Sequence, residues 1–201
     1  MATRQQEKSR QTQEELLTAA MMLFQEKGFF ATTIAEITER AGYAKGSLYR
    51  HWTGKDEMVL QIIERKLADY RRARSERLAK ARSLEDVLDA VWDFLDTIIE
   101  DESWSRVFLE FTVHASRDAG LRARLAESAY RLSDEMFAGL VRDFVQPGVD
   151  AERLGALNTA LFEGFLIHNI LGTGRLRKDE MREAAKTLAL GCGRKVAEPG
   201  E

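Results

Sequence analysis

Within the run Lys45-Gly46-Ser47-Leu48-Tyr49-Arg50-His51-Trp52, Lys45, Ser47, Tyr49, Arg50 and His51 carry polar side chains that can donate hydrogen bonds. Leu48 and Trp52 stand four apart, the spacing of one face of an α-helix. A short helix from Ala44 therefore turns those two inward and leaves the donors largely on the other side. Such a face suits hydrogen bonding to phosphate oxygens and base edges, and arginine in particular matches the two acceptors of guanine. Gly46 permits close approach of a backbone.

A donor face is useful only if neighbouring elements hold it. Thr33 followed by Glu36 fits a capping box, in which the threonine oxygen accepts from the third helical amide and the glutamate answers the cap amide. Ile34, Ile37 and Ala41 continue at helical spacing, and Gly42 stands where the helix stops. Thr32 to Lys55 thus reads as two short helices joined by a tight turn. Upstream, between Gln11 and Lys27, Leu16, Leu17, Ala20, Leu23 and Phe24 form an apolar stripe able to cover that pair, and Gly28 ends it.

At these residues the sequence resembles the TetR family of bacterial one-component repressors. The resemblance lies in the first helix ending at Gly28, the Thr32-Thr33 start, Ala41-Gly42, and the run from Lys45 to Trp52 followed by Lys55-Asp56-Glu57. It implies an all-α fold: a three-helix helix-turn-helix DNA-binding domain over 1–54, and a helical effector-binding and dimerisation domain over 55–201. It further implies a repressor that binds a pseudo-palindromic double-stranded DNA operator as a homodimer and is released when a small effector moves the long fourth helix. By the same resemblance Thr33, Tyr49 and Lys55 grip phosphates, with His51 joining them or bracing the helix. Lys45, Gly46, Ser47 and Arg50 then face base edges. Surface packing is the alternative role for Tyr49 and His51. Two positions depart from the family pattern: Trp52, where phenylalanine is commoner, and Ala44, where a capping serine or threonine is common.

Composition agrees with this reading. The 201 residues are 44% hydrophobic and 31% charged, with two prolines and no apolar run long enough to span a bilayer. The N-terminal ten residues contain no apolar segment of the secretory kind, so a cytoplasmic location without membrane contact is expected. The formal net charge of −3 divides unevenly, +2 over residues 1–55 and −5 over the remainder, so the basic end is the donor-bearing end. No GxSxG, GxGxxG, GxxxxGK[ST] or HExxH motif occurs, and the three histidines are dispersed at 51, 114 and 168. An enzyme, a metal centre and a cofactor are therefore not expected. The alternative is an all-helical interaction or carrier protein whose helix-turn-helix has no DNA role. Cys192, the lone cysteine, reads as a passive thiol.

The periodicity predicts about nine helices and no strand. A fourth starts near Thr53, a fifth is capped by Ser83 with Asp86, and a sixth starts at Asp101-Glu102-Ser103. A long seventh carries Leu121 to Phe144 and is broken at Pro147-Gly148, and two more cover roughly 150–171 and 178–194. Trp92, Trp104, Phe108, Phe111, Phe137, Phe162 and Phe165, with His114 and His168 as scarce polar groups beside Glu110 and Glu163, are the candidates for lining an apolar effector pocket, and ordinary core accounts for most of the aromatics. Ala156, Ala160 and Gly164 recur every four residues and leave one helix edge without bulk. With Met181, Ala185 and Leu188 they are the candidate dimer face, the chain's own core being the other place such stripes go. The basic run Arg65 to Arg82 reads as a solvated helix face with a Glu76–Lys80 pair.

Overall fold

A computed structural model describes residues 3–127, 132–145 and 148–192, which form ten helices and no strand. In chain order they are α1 Arg4–Lys27, α2 Ile34–Arg40, α3 Lys45–Leu48, α4 Lys55–Leu78, α5 Leu84–Glu100, α6 Glu102–Ala115, α7 Ala119–Leu125, α8 Leu132–Val141, α9 Ala151–Ile170 and α10 Lys178–Cys192. Pro147, Arg194 and the side chains of Arg71, Arg74 and Glu76, each invoked by the sequence reading, lie outside the described residues.

The stretch expected as one long seventh helix contains two described helices, α7 and α8, and residues 128–131 between them lie outside the described residues. A π-type turn at 126–127 follows α7, and no large aliphatic residue continues the Leu121–Leu125 stripe before Leu132. The first helix begins at Arg4 rather than near Gln11. Thr3 caps it, and its side chain and that of Gln6 form a reciprocal capping box.

Two units divide the chain: Met1–Leu67 with Ser103–Leu125, and Ala68–Glu102 with Ala126–Glu201. Most of α6 and all of α7 belong to the first unit with the N-terminal helices. In the first unit Leu16, Phe24, Phe29, Ile37, Leu48, Met58 and Phe111 are fully buried. Each contributes about 1.5–3 kcal/mol relative to exposure. Arg65 pairs with Glu14 across α4 and α1, and Lys66 lies over the Trp104 ring at 4.8 Å, so these members of the basic run serve the unit's own packing.

The second unit packs α8 and α10 against α9, with α5 alongside. Trp92 is fully buried, and its indole N–H donates to Asn158 Oδ1 at 3.0 Å. Arg182 on α10 reaches Asp93 at 2.6 Å and Asp96 at 2.7 Å, and Lys186 reaches Asp89 at 2.8 Å, joining α10 to α5. The closest approach is at Gly155 of α9, where a Cβ would lie 2.9 Å from the Asp134 carbonyl oxygen and 3.1 Å from its Cα. Gly139 of α8 has nothing within 4 Å of that position. Gly155→Ala is therefore expected to destabilise the protein by about 1–3 kcal/mol. Gly139→Ala should be neutral or stabilising by up to about 1 kcal/mol through helix propensity alone. Urea unfolding of the two variants against the parent decides the point.

Candidate nucleic-acid interface

The donor-bearing segment is short. Its α-helical part is Lys45–Leu48, and Ala44 at the cap offers no side-chain hydrogen bond, as the missing serine or threonine implies. The Ser47 amide donates to Ala44 O at 2.8 Å, and the amides of His51 and Trp52 both donate to Leu48 O, at 2.9 and 3.1 Å. Coiling thus continues as a tight turn through His51. So short a helix has no stability of its own. Leu48, fully buried, and Trp52, 5% exposed, hold it. The Trp52 indole N–H donates to Gln61 Oε1 of α4 at 2.6 Å, and Gln13 of α1 donates to the same oxygen at 3.4 Å.

With those anchors set, Lys45, Gly46, Tyr49 and Arg50 are exposed, Tyr49 to 50%, and Ser47 and His51 are partly so. The His51 ring lies 5.4 Å from that of Trp52. Nothing stands within 4 Å of where a Gly46 Cβ would be, so the free protein itself does not require glycine there. Gly42, between α2 and α3, has φ +75°, which explains glycine at the turn.

Thr33 caps α2 as the sequence predicts. Its hydroxyl accepts from the Glu36 amide at 3.3 Å and donates to Glu36 Oε2 at 2.6 Å, and that carboxylate accepts the Thr33 amide at 2.9 Å. Glu36 also pairs with Lys27. The Lys27 ammonium first, then the Thr33 hydroxyl and amide, hold the Glu36 carboxyl down from 4.5 to about 2.

Lys55, expected on a phosphate, is turned inward. Its Nζ donates to the carbonyl oxygens of Phe29 at 2.9 Å, Thr32 at 3.1 Å and Phe30 at 3.4 Å, and sits 4.4 Å from the centre of the Phe29 ring. Its three protons are thereby occupied, and desolvation lowers its pKa, opposed by the charges of Asp56 and Glu110. Lys55 is a bracket on the 28–32 loop.

The expected pocket residues fall in both units. Trp104, Phe108, Phe111 and His114 belong to the first unit, whereas Trp92, Phe137, Phe162, Phe165 and His168 belong to the second. His114 stands beside Phe29 at 5.1 Å and Phe30 at 5.8 Å, with Nε2 3.3 Å from Asp56 Oδ1. His168 is exposed and meets Thr173 Oγ1 through Nδ1 at 3.1 Å. Trp92, Phe137, Phe162 and Phe165 are buried core. The expected dimer face divides too. Ala156, Ala160 and Gly164 are exposed, Met181 and Leu188 are partly so, and Ala185, 2% exposed, packs inside its own chain.

A helix-turn-helix presenting an outward donor face, held by flanking helices and followed by a helical second unit, defines a DNA-binding regulator. Comparison with known proteins specifies the class. The profile of bacterial regulatory proteins of the tetR family matches residues 16–62, and that of the BetI-type transcriptional repressor C-terminal region matches residues 81–192. The chain belongs to the TetR family and is a transcriptional regulator rather than an enzyme. It is 25% identical over 188 residues to the regulator CymR of Pseudomonas putida, covering 92% of each chain. To the uncharacterised regulator YfiR of Bacillus subtilis it is 30% identical over 141 residues, 68% of this chain and 66% of that relative, just under two thirds of its length. Thermus thermophilus FadR, a TetR-family repressor solved with lauroyl-CoA, shares the fold with a TM-score of 0.69 at 21% identity, covering 94% of this chain and 98% of that one. No helix among the described residues is long and apolar enough to cross a membrane.

The bracket and the cap each make a measurable prediction. Lys55→Met should lower stability by about 1–3 kcal/mol, because three carbonyls lose their donor. The slope of log affinity for DNA against log salt should stay unchanged, whereas loss of a phosphate contact would reduce it by about 0.9. For Glu36, a carboxyl depressed in the fold contributes stability that is present above its ordinary value of 4.5 and lost as pH falls towards about 2. Unfolding followed from pH 6 to pH 2 should therefore show a smaller acid loss in Glu36→Gln than in the parent.

Proposed function

We propose that this regulator is a repressor which binds a pseudo-palindromic operator as a homodimer in the cytoplasm and is released by a small, largely apolar effector. The observation that carries the DNA reading is the division of one short segment. Leu48 and Trp52 are buried, and Lys45, Tyr49 and Arg50 stand outside on a rigid base. In this reading Arg50, Lys45, Ser47 and Gly46 meet base edges, and Thr33, Tyr49 and His51 meet phosphates. Lys55 acts indirectly, by holding the loop before α2.

The dimer is supported by α9. Beside its small-residue edge, Leu157 is 37%, Ile167 43% and Leu171 71% exposed. An apolar helix face of that kind is suited to a second copy of itself, and two reading heads placed a whole number of helical turns apart read a two-fold site. The apolar effector is supported by the scarcity of polar groups among the second unit's aromatics. The lauroyl-CoA bound to Thermus thermophilus FadR makes acyl compounds the first to try.

Selection of the purified protein on a randomised duplex library tests this directly. A two-fold-symmetric motif is expected. Arg50→Ala should then cost on the order of 1–3 kcal/mol and relax one position of each half-site. Sequence-blind, salt-sensitive retention would favour an interaction protein without an operator.

A further inference from the structure

The loop from Gly28 to Thr32 sets the angle at which α1 delivers the chain into α2 and α3. Its backbone groups are satisfied by side chains from three places. The buried Thr32 hydroxyl is directed at Gly28 O, 2.8 Å, and Leu23 O, 3.3 Å. Lys55 of α4 takes the carbonyls of Phe29, Phe30 and Thr32. The Phe29 amide donates to Glu110 Oε2 of α6 at 2.7 Å, across 81 residues of sequence.

We propose that Glu110 is a positioning residue for DNA recognition, a carboxylate latch from α6 that fixes the 28–32 loop and thereby the recognition segment. The inference rests on the DNA reading above and adds a point of control to it. Two observations point to the latch. Gly28 has φ +86°, and a Cβ there would lie 2.9 Å from both Glu110 oxygens, so the loop is shaped to admit the carboxylate. The Phe29 ring beneath is gripped from the same two helices, by Phe111 at 5.4 Å and His114 at 5.1 Å on α6 and by Lys55 on α4.

The electrostatics suit a releasable contact. Glu110 sits against the C-terminal end of α1, where the helix dipole disfavours negative charge, and the Lys55 ammonium and Phe29 amide offset this locally. A shift of α6 by about 1 Å takes the bond outside hydrogen-bonding range. The carboxylate then gains water, and the loop loses one of its three fasteners. A sequence position eight residues into α6, with no tie to the DNA face of its own, thus governs how that face is presented.

Glu110→Met keeps the length of the side chain and removes the acceptor; Glu110→Gln keeps an acceptor. Affinity for the selected operator and for random duplex is measured for both full-length variants, together with hydrogen exchange of the Phe29 amide. The expected result is that Met weakens operator binding about tenfold or more and random binding less, with faster Phe29 exchange, while Gln stays within about threefold of the parent. Equal losses on operator and random DNA, unchanged affinity and exchange in Met, or a Gln variant as impaired as Met would each overturn the latch. Should Met not fold, Glu110→Ala, which also lacks the acceptor, takes its place with the same readouts: selective loss on the operator with faster Phe29 exchange is expected, and parent-like affinity and exchange overturn the latch. A parent protein that selects no motif overturns the DNA reading instead, a failure seen before any variant is made.

Discussion

The Gly28 amide closes the last turn of α1 on Phe24 O at 2.8 Å, and beyond it the carbonyls of Gly28, Phe29, Phe30 and Thr32 are met by side chains. The lysine ammonium of residue 55 meets three of them at 2.9 to 3.4 Å. Placing a cation there costs solvation, visible in the downward pull that burial exerts on Lys55. The Phe29 ring at 4.4 Å and the carboxylates of Asp56 and Glu110 offset that cost. Without the ammonium the carbonyls would have to reach water, and the α1–α2 angle would be open. Because Lys55 is the first residue of α4, the same helix that brackets the loop also accepts the Trp52 indole through Gln61 one and a half turns on. Both ends of the helix-turn-helix are therefore referred to one rigid element.

That arrangement explains how a recognition segment with weak local credentials can be precise. Lys45–Leu48 includes a glycine, has no side-chain cap and spans only one helical turn. Its geometry comes from tertiary anchors: Leu48 in the core, Trp52 pinned by an indole hydrogen bond, and Gly42 at φ +75° directing the chain into it. Donors on such a segment keep their side-chain freedom while their Cα positions are held. A protein that must adapt to base edges and hold its register needs that combination.

What could be read from the sequence follows the range of the interaction responsible. The capping box at Thr33–Glu36 and the Ser83 cap on the Asp86 amide are legible because the partners lie three residues apart. The same pattern at Thr3 and Gln6 carries no such signal, since no apolar residue follows within the first turns to suggest a helix. Leu48 and Trp52 were legible from spacing. The orientation of Lys55 was not, because a lysine four residues past an exposed segment carries no mark of whether its ammonium points out or back. For Glu110 nothing local in the sequence reveals an acceptor for an amide 81 residues away. The aromatic set scattered for a related reason. Aromatic residues fill whichever core their helix borders, and α6 borders the N-terminal unit whereas α5, α8 and α9 border the other.

The two glycines of α9 show why composition alone could not place a dimer face. Gly155 and Gly164 are the same residue type nine positions apart on one helix, yet Gly155 meets the Asp134 backbone and Gly164 has nothing within 4 Å. One is small because α8 crosses there, so its size is explained inside a single chain. The other is small with no reason among the described residues, as are the exposed Ala156 and Ala160 on the same edge. Helix propensity would favour alanine over glycine at position 164. An exposed helical edge kept without bulk and flanked by exposed Leu157 and Ile167 is what close helix-to-helix approach by a second subunit requires. The proposed dimer accounts for a residue choice that the described residues of one subunit do not explain.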